Sequence, residues 1–403
     1  MLKTITIERF KSLNKVQLEL GPLNIFIGTN ASGKSNFFDA MRVLQGIGYG
    51  LTVDEIFDGK PKSTTLIAWD GIRGGSTGAR SQLPSIANPD FIRIGASANV
   101  NKDTYEYDIK LDAEHGLIRY EQLIRNGAPL YRTDDPAERA KPILYVSLHA
   151  PLSSRKENIT SALEDRPILG QLIDALGISS DERQSLTRFA IDISDLQSLD
   201  PLPSVLRAYS KRRGAERLGE NGEDFAALVQ TICEDISLRE QYVSWLRELL
   251  PLEVEEVAIL PGAAGDLLFA IKEGGRTFAA PLLSDETLRF AALASAMFQP
   301  DAPAMLLIEE IENGIHPTRL RLLVELLKSK ANQGKTQLFV TTHSPYVLAW
   351  LKPEDYDHTF ICVRAEDGSS QIRPVSSLPH FVEAIQCTPL ADLFAEGWLE
   401  TTL

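Results

Sequence analysis

The chain has 403 residues, enough for two or three domains with sizeable cores, and its 43% hydrophobic and 24% charged content excludes a disordered chain or a fibrous repeat. Three cysteines (Cys233, Cys362 and Cys387) with no CxxC spacing exclude a disulfide framework and a cysteine zinc site, and point to a reduced, cytoplasmic setting. The charge sum, 41 − 55 = −14, gives no global attraction to phosphate backbones, the N-terminus is broken by charges where a secretion signal would be apolar, and no run approaches the ~20 apolar residues of a membrane span.

Residues 4 to 27 read as short strands, the last an apolar run from Leu23 to Ile27 that stops at Gly28. From 34 to 45, Phe37, Phe38, Met41, Val43 and Leu44 recur at helical spacing, so residues 23 to 45 read strand, glycine loop, helix. Phe91 to Ala96, Thr104 to Leu111, Leu117 to Ile124 and Ile143 to Leu148 alternate over hairpin-length gaps, which predicts an antiparallel β lobe. Helical periodicity dominates from about 150 to 250, best in Ala162 to Leu176 and Phe225 to Leu250. Strands are expected at Val254 to Leu260, Leu267 to Ile271, Ala304 to Ile308 and Gln337 to Thr341. A helix is expected near Glu286 to Phe298. Another starts at Pro317 and stops before Gly334, giving a strand, helix, strand crossover.

The strongest local signal is Gly28-Thr-Asn30-Ala31-Ser32-Gly33-Lys34-Ser35, a GxxxxGKS between strand and helix. Such a loop wraps backbone N–H groups around phosphate oxygens, Lys34 reaches the β and γ phosphates of a nucleotide, and the Ser35 hydroxyl holds Mg²⁺. A carboxylate at a neighbouring strand end completes this chemistry, and Met305-Leu-Leu-Ile-Glu309-Glu310 supplies two. Glu309 is the metal-side residue, in place of the usual aspartate, and Glu310 polarises the attacking water. Ser284-Asp285-Glu286-Thr287 opens a helix, where Ser284 is either an ordinary cap or an anion contact. His343, in Thr342-His343-Ser344-Pro345, ends the strand beside the acid-bearing one.

At these residues the sequence resembles the ABC-type ATPase heads of the RecF, SMC and OLD group, in their compact form without a coiled coil. IERFKSL and GTNASGKSN resemble the opening strand and Walker A motif, LLSDETLR the signature motif, LLIEEIENGIHP the Walker B and D-loop, and VTTHSP the switch histidine. The resemblance covers 1 to about 148 and 250 to about 365. It implies an α/β ABC-type P-loop NTPase head with a mixed and parallel central sheet, an antiparallel β lobe and a helical insertion. The implied head is discontinuous, 1–148 and 250–376, with 149–249 inserted as a lid or effector-facing part and 377–403 a tail packed on the head.

The resemblance also implies a mechanism. ATP and Mg²⁺ bind at Gly28, Asn30, Ala31, Ser32, Gly33, Lys34, Ser35 and Asn36, with Ser35 and Glu309 on the metal. Glu310 is the general base and His343 senses the γ phosphate. Ser284, Asp285, Glu286 and Thr287 close over the nucleotide of a second subunit, giving a homodimer with ATP sandwiched between protomers. Two departures stand out: Glu286 replaces the family's usual glycine, and Ile311 a common proline, so slow or partner-stimulated hydrolysis is expected. No glutamine is identified for the Q-loop.

The cluster Arg207, Lys211, Arg212, Arg213 and Arg217 reads either as a contact for duplex DNA or a partner, or as a solvated helix end. Arg9 and Lys11 read either as nucleotide contacts or as a strand-end ion pair. Functionally, an ATP-driven clamp acting on DNA or on a separately encoded nuclease or effector, in anti-phage defence or DNA repair, competes with three alternatives. An OLD-type nuclease needs a Toprim domain for which the chain after His343 is too short. A non-hydrolysing ATP-sensing scaffold is distinguished by tolerance of Glu310→Gln. A transporter ATPase is disfavoured by the missing LSGGQ sequence.

Overall fold

The computed structural model describes residues 1–60, 68–81, 91–133, 144–149, 152, 158–175, 178–211, 214–249 and 253–402. The start of the strand expected at Ile143 and the helix ends expected at Leu176 and Leu250 lie outside them. The chain opens with β1 (Leu2–Phe10), β2 (Leu13–Glu19) and β3 (Leu23–Ile27), then β4 (Ile92–Val100), β5 (Asp103–Asp112), β6 (Leu117–Arg125), β7 (Ala128–Thr133), β8 (Leu144–Leu148) and β9 (Asn158–Ala162). Further on come β10 (Leu196–Leu199), β11 (Val254–Pro261), β12 (Leu267–Glu273), β13 (Arg276–Ala279), β14 (Met305–Ile308), β15 (Gln337–Thr342), β16 (Thr359–Arg364) and β17 (Ser370–Pro374).

Fourteen of these strands join one sheet among the described residues, ordered β10-β14-β15-β3-β16-β17-β2-β1-β4-β5-β6-β7-β8-β9. Its first five strands are parallel neighbours. Both faces of β14 and β15 are covered, and the two strands are buried at every position, whereas β10 at the sheet edge leaves Gln197 and Ser198 half-buried. β17 pairs antiparallel with β16 and parallel with β2, and from β2 outward to β9 the sheet is antiparallel, with alternating strands such as β5, whose Tyr105, Tyr107, Ile109 and Leu111 face inward. The strands β11, β12 and β13 form a separate antiparallel sheet.

Alternation along β3 divides the core in two. Phe26 turns to one side, where it packs on Phe37 of the helix Lys34–Gly48 at 4.4 Å between ring centroids and on Phe360 at 5.0 Å. Ile25 and Ile27 turn to the other side, with Leu320, Leu323, Val324 and Leu327 of the helix Pro317–Ala331 and most of the helix Asp285–Met297. The helix Pro317–Ala331 connects the parallel pair β14 and β15, as the crossover pattern predicts.

Residues 149–249 depart from a purely helical reading. The helix expected from Ala162 is instead β9 followed by the helix Ile168–Asp174, because Pro167 fixes its start. Glu121, fully buried on β6, accepts hydrogen bonds from the Ile168 and Leu169 N–H groups at 2.7 and 3.0 Å and from Tyr131 Oη at 2.7 Å. The stretch from Phe225 breaks into Phe225–Glu234 and Ile236–Leu249 where the Asp235 carboxylate accepts from the Leu238 N–H at 3.0 Å. β10, between the helix Ser180–Ser194 and the short helix Pro203–Leu206, joins the central sheet beside β14. In the tail, Leu390, Leu393 and Leu399 are buried in the second core and Trp398 packs against it. No helix among the described residues is long and apolar enough to cross a membrane.

Candidate functional site

β3 delivers the chain to Gly28 at a φ of 146°, where a Cβ would lie 2.2 Å from the Cys362 carbonyl oxygen, so only glycine fits. The loop ends at Gly33, at a φ of 111°, where a Cβ would lie 2.4 Å from Ser370 Oγ. No side chain caps the helix Lys34–Gly48 that follows, which leaves its first-turn N–H groups aimed at an incoming anion. Asn36 Nδ2 donates to Ser12 Oγ at 2.7 Å, fixing the helix start against the adjoining β1–β2 turn.

Lys34 is 6% exposed, and its ammonium donates to the Gly28 and Thr29 carbonyl oxygens at 2.8 Å each. Burial lowers its pKa, opposed by the negative charges of the Glu310 and Glu312 carboxylates. A phosphate group offers the same cation oxygens of higher charge.

Glu309 and Glu310 stand at the end of β14. Ser35 Oγ donates to Glu309 Oε2 at 3.1 Å, which places a hydroxyl and a carboxylate side by side. This is a hard oxygen donor pair of the kind Mg²⁺ takes alongside phosphate oxygens and water, and the longer glutamate arm spans the distance. Glu310 adopts a φ of 47°, its N–H donating to Thr341 Oγ1 at 2.9 Å. His343 is held by its N–H on Glu312 Oε1 at 2.5 Å and by Nδ1 on the Gly28 carbonyl oxygen at 2.7 Å. That contact makes Nδ1 the protonated nitrogen and turns Nε2 toward Glu310 Oε1, 3.7 Å away. A cleft of about 310 Å³ is lined by Asn30, Ala31, Ser32, Gly33, Lys34, Ser35, Asn36, Glu309, Glu310 and His343, with Thr341 and Arg364.

The signature residues do not line this cleft. Ser284 is exposed and caps the helix Asp285–Met297, its Oγ accepting from the Thr287 N–H at 3.1 Å. Asp285 pairs with Arg207 at 2.5 Å, and Glu286 Oε1 accepts from the His316 N–H at 2.9 Å. The remaining basic cluster is dispersed. Arg217 is paired with Asp195 and Asp301 at 2.6 and 2.7 Å, Lys211 is exposed, and Arg212 and Arg213 lie outside the described residues. Arg9 stacks 4.6 Å from the Phe91 ring centroid, and Lys11 pairs with the buried Asp39 at 2.5 Å.

Two residues absent from the sequence reading belong to this region. Arg73 donates from Nη2 to the Ser35 carbonyl oxygen at 2.9 Å, approaches Glu309 Oε1 at 3.5 Å, and pairs through Nε with Asp39 at 3.1 Å. It lies in a glycine-rich turn with no fixed spacing to the phosphate loop. Arg364 is exposed at the end of β16, a position readable from an apolar run, Thr359 to Val363, that ends in a charge.

A family model described as "AAA domain, putative AbiEii toxin, Type IV TA system" matches residues 23–349. A Helicobacter pylori protein named "ATP/GTP phosphatase" is 23% identical over 383 residues, which cover 91% of this chain and 93% of that protein. The SMC head bound to the C-winged helix domain of ScpA superposes with a TM-score of 0.52 over 92% of this chain and 96% of its own, at 13% identity. The SMC head domain from Thermotoga maritima covers 93% of this chain and 98% of its own at 14% identity, with a TM-score of 0.47. The fold is that of a P-loop NTPase head of the SMC type.

Proposed function

The chain belongs to the AAA-domain family matched over residues 23–349 and is an ATPase of the SMC-like ABC type, and from this premise we propose an ATP-hydrolysing clamp that closes as a homodimer. The observation that carries the reading is the cleft itself, where Lys34, the Ser35–Glu309 pair and the Glu310–His343 pair converge while the exposed Ser284 helix start lies outside. A site complete in phosphate, metal and base residues, with its signature segment elsewhere on the chain, is supplied with that segment by a second copy.

In the proposed reaction, Asn30 to Asn36 hold the triphosphate with backbone N–H groups, and Lys34 transfers from the Gly28 and Thr29 carbonyls to the β and γ phosphates. Ser35 and Glu309 would hold Mg²⁺, which neutralises phosphate charge when bound. Glu310 takes the proton of the attacking water, and His343 shifts from Gly28 to the γ phosphate. Ser284 and its helix start, from the partner copy, cover the phosphate from the opposite side. The relative named as an ATP/GTP phosphatase supports hydrolysis.

Closure and opening of the dimer grip DNA or control a separately encoded nuclease or effector, in anti-phage defence or DNA repair. The engaged Arg207 and Arg217 favour a protein partner over a broad DNA surface, because both guanidinium groups already have carboxylate partners. Steady-state phosphate release from ATP with Mg²⁺, with and without duplex DNA, and with Glu310→Gln as blank, tests the proposal. Turnover raised by DNA assigns DNA contact to this chain. A low rate indifferent to DNA assigns control to a partner protein, and no release above the blank overturns hydrolysis.

A further inference from the structure

The helix that starts at Ser284 touches the turn after β14 at both ends. Glu286 Oε1 accepts the His316 N–H at 2.9 Å, at the far end of that turn. Arg289, one helical turn further and 4% exposed, reaches the Glu310 carbonyl oxygen from Nη2 at 3.4 Å. Its Nη1 is anchored on Asp200 Oδ1 and the Pro201 carbonyl at 3.1 and 3.0 Å, and its buried Nε has no partner.

Between those contacts the turn is internally tied. The Asn313 N–H donates to the Glu310 carbonyl at 2.8 Å, and the Ile315 N–H to the Glu312 carbonyl at 2.9 Å. A displacement at His316 is therefore carried back to Glu310, whose φ of 47° is a conformation its surroundings must hold. The same Glu312 side chain accepts the His343 N–H.

We infer that Glu286 is a positioning residue that latches the signature helix to the base-carrying turn of its own subunit, so that closure over one nucleotide adjusts Glu310 in the other site. The inference rests on the dimer proposed above. It explains why a glutamate works where a glycine would leave the His316 amide without this acceptor. The side chain is turned onto its own chain, so its charge is partly spent on that amide instead of facing the partner's triphosphate.

Glu286→Gln and Glu286→Ala separate charge from latch, because both remove the charge and only alanine removes the acceptor oxygen. Two readouts apply: ATP turnover, and hydrogen exchange of the 311–316 amides without nucleotide. The expected result is a kcat about tenfold lower in Glu286→Ala than in Glu286→Gln at similar KM, with faster His316 exchange in the alanine variant only. Equal kcat in the two variants overturns the inference, and so does equal exchange. If wild-type and both variants match the Glu310→Gln blank, the hydrolytic reading has failed, and the exchange comparison alone decides whether the latch exists.

Discussion

Lys34 and His343 share one acceptor, the Gly28 carbonyl oxygen, at 2.8 and 2.7 Å, with their nitrogens 3.4 Å apart. Both side chains are thus parked on the phosphate loop itself. Under the proposed function a γ phosphate competes for both at once, which links the binding of the nucleotide to the turn of the switch histidine.

Replacing Lys34 removes the buried cation while leaving the loop backbone intact. Lys34→Ala should weaken MgATP binding by about 100-fold, the scale of one or two charge-assisted hydrogen bonds, as read by calorimetric titration. Binding within a few-fold of wild type would place the nucleotide elsewhere.

Ser284 is exposed and outside the cleft of its own chain. Ser284→Arg should block closure over the partner's nucleotide. Mixed with Lys34→Ala protein, it should recover at most one of two composite sites per heterodimer. Activity that simply adds the two separate variants would show that the subunits do not share sites.

Arg364 faces the phosphate-loop cleft from the end of β16 and is exposed. Under the proposed nucleotide site, a contact from this exposed guanidinium would be solvent-screened, so Arg364→Ala should raise KM for ATP about fivefold while kcat changes little. An unchanged KM would assign Arg364 to the surface alone.

Lys330 packs its Nζ 3.5 Å from the Phe298 ring centroid, and burial, with Lys335 nearby, lowers its pKa from 10.5 to about 8. Between those values the unfolded chain binds more protons than the folded one, so stability rises with pH through that window. The cost is fully present below about 8. Lys330→Met should therefore stabilise the protein by about 1 kcal/mol at neutral pH, after allowing for solvent screening and the ring contact, and less as pH rises toward 10.5. Urea midpoints at pH 7 and near 10 provide the check.

β14 and β15, at the centre of the parallel half of the sheet, were legible in the sequence because they are buried on both faces. Runs such as Met305 to Ile308 and Gln337 to Thr341 need no partner information to be recognised. The phosphate-loop and acid residues were legible for a related reason, since their chemistry fixes spacing. Arg73 was not: it reaches Glu309 from a turn whose distance in sequence is unconstrained. Glu286 was identified as a departure, but its contact with the His316 amide depends on how two distant segments pack. β9 and β10 were hidden because short strands inside a helix-rich stretch acquire their identity from the sheet that receives them.

β10 has a consequence for exchange of parts between related proteins. Its Leu196 to Leu199 pair with Met305 to Ile308, so the middle of the chain covers the otherwise open edge of the strand that carries Glu309 and Glu310. A graft that cuts out 149–249 as a cassette strips that cover and leaves an unpaired apolar ladder able to recruit strands from other molecules. Recombination that retains Leu196 to Leu199 together with Asp200 and Pro201, which anchor Arg289, keeps both that edge and the turn after β14 as they are.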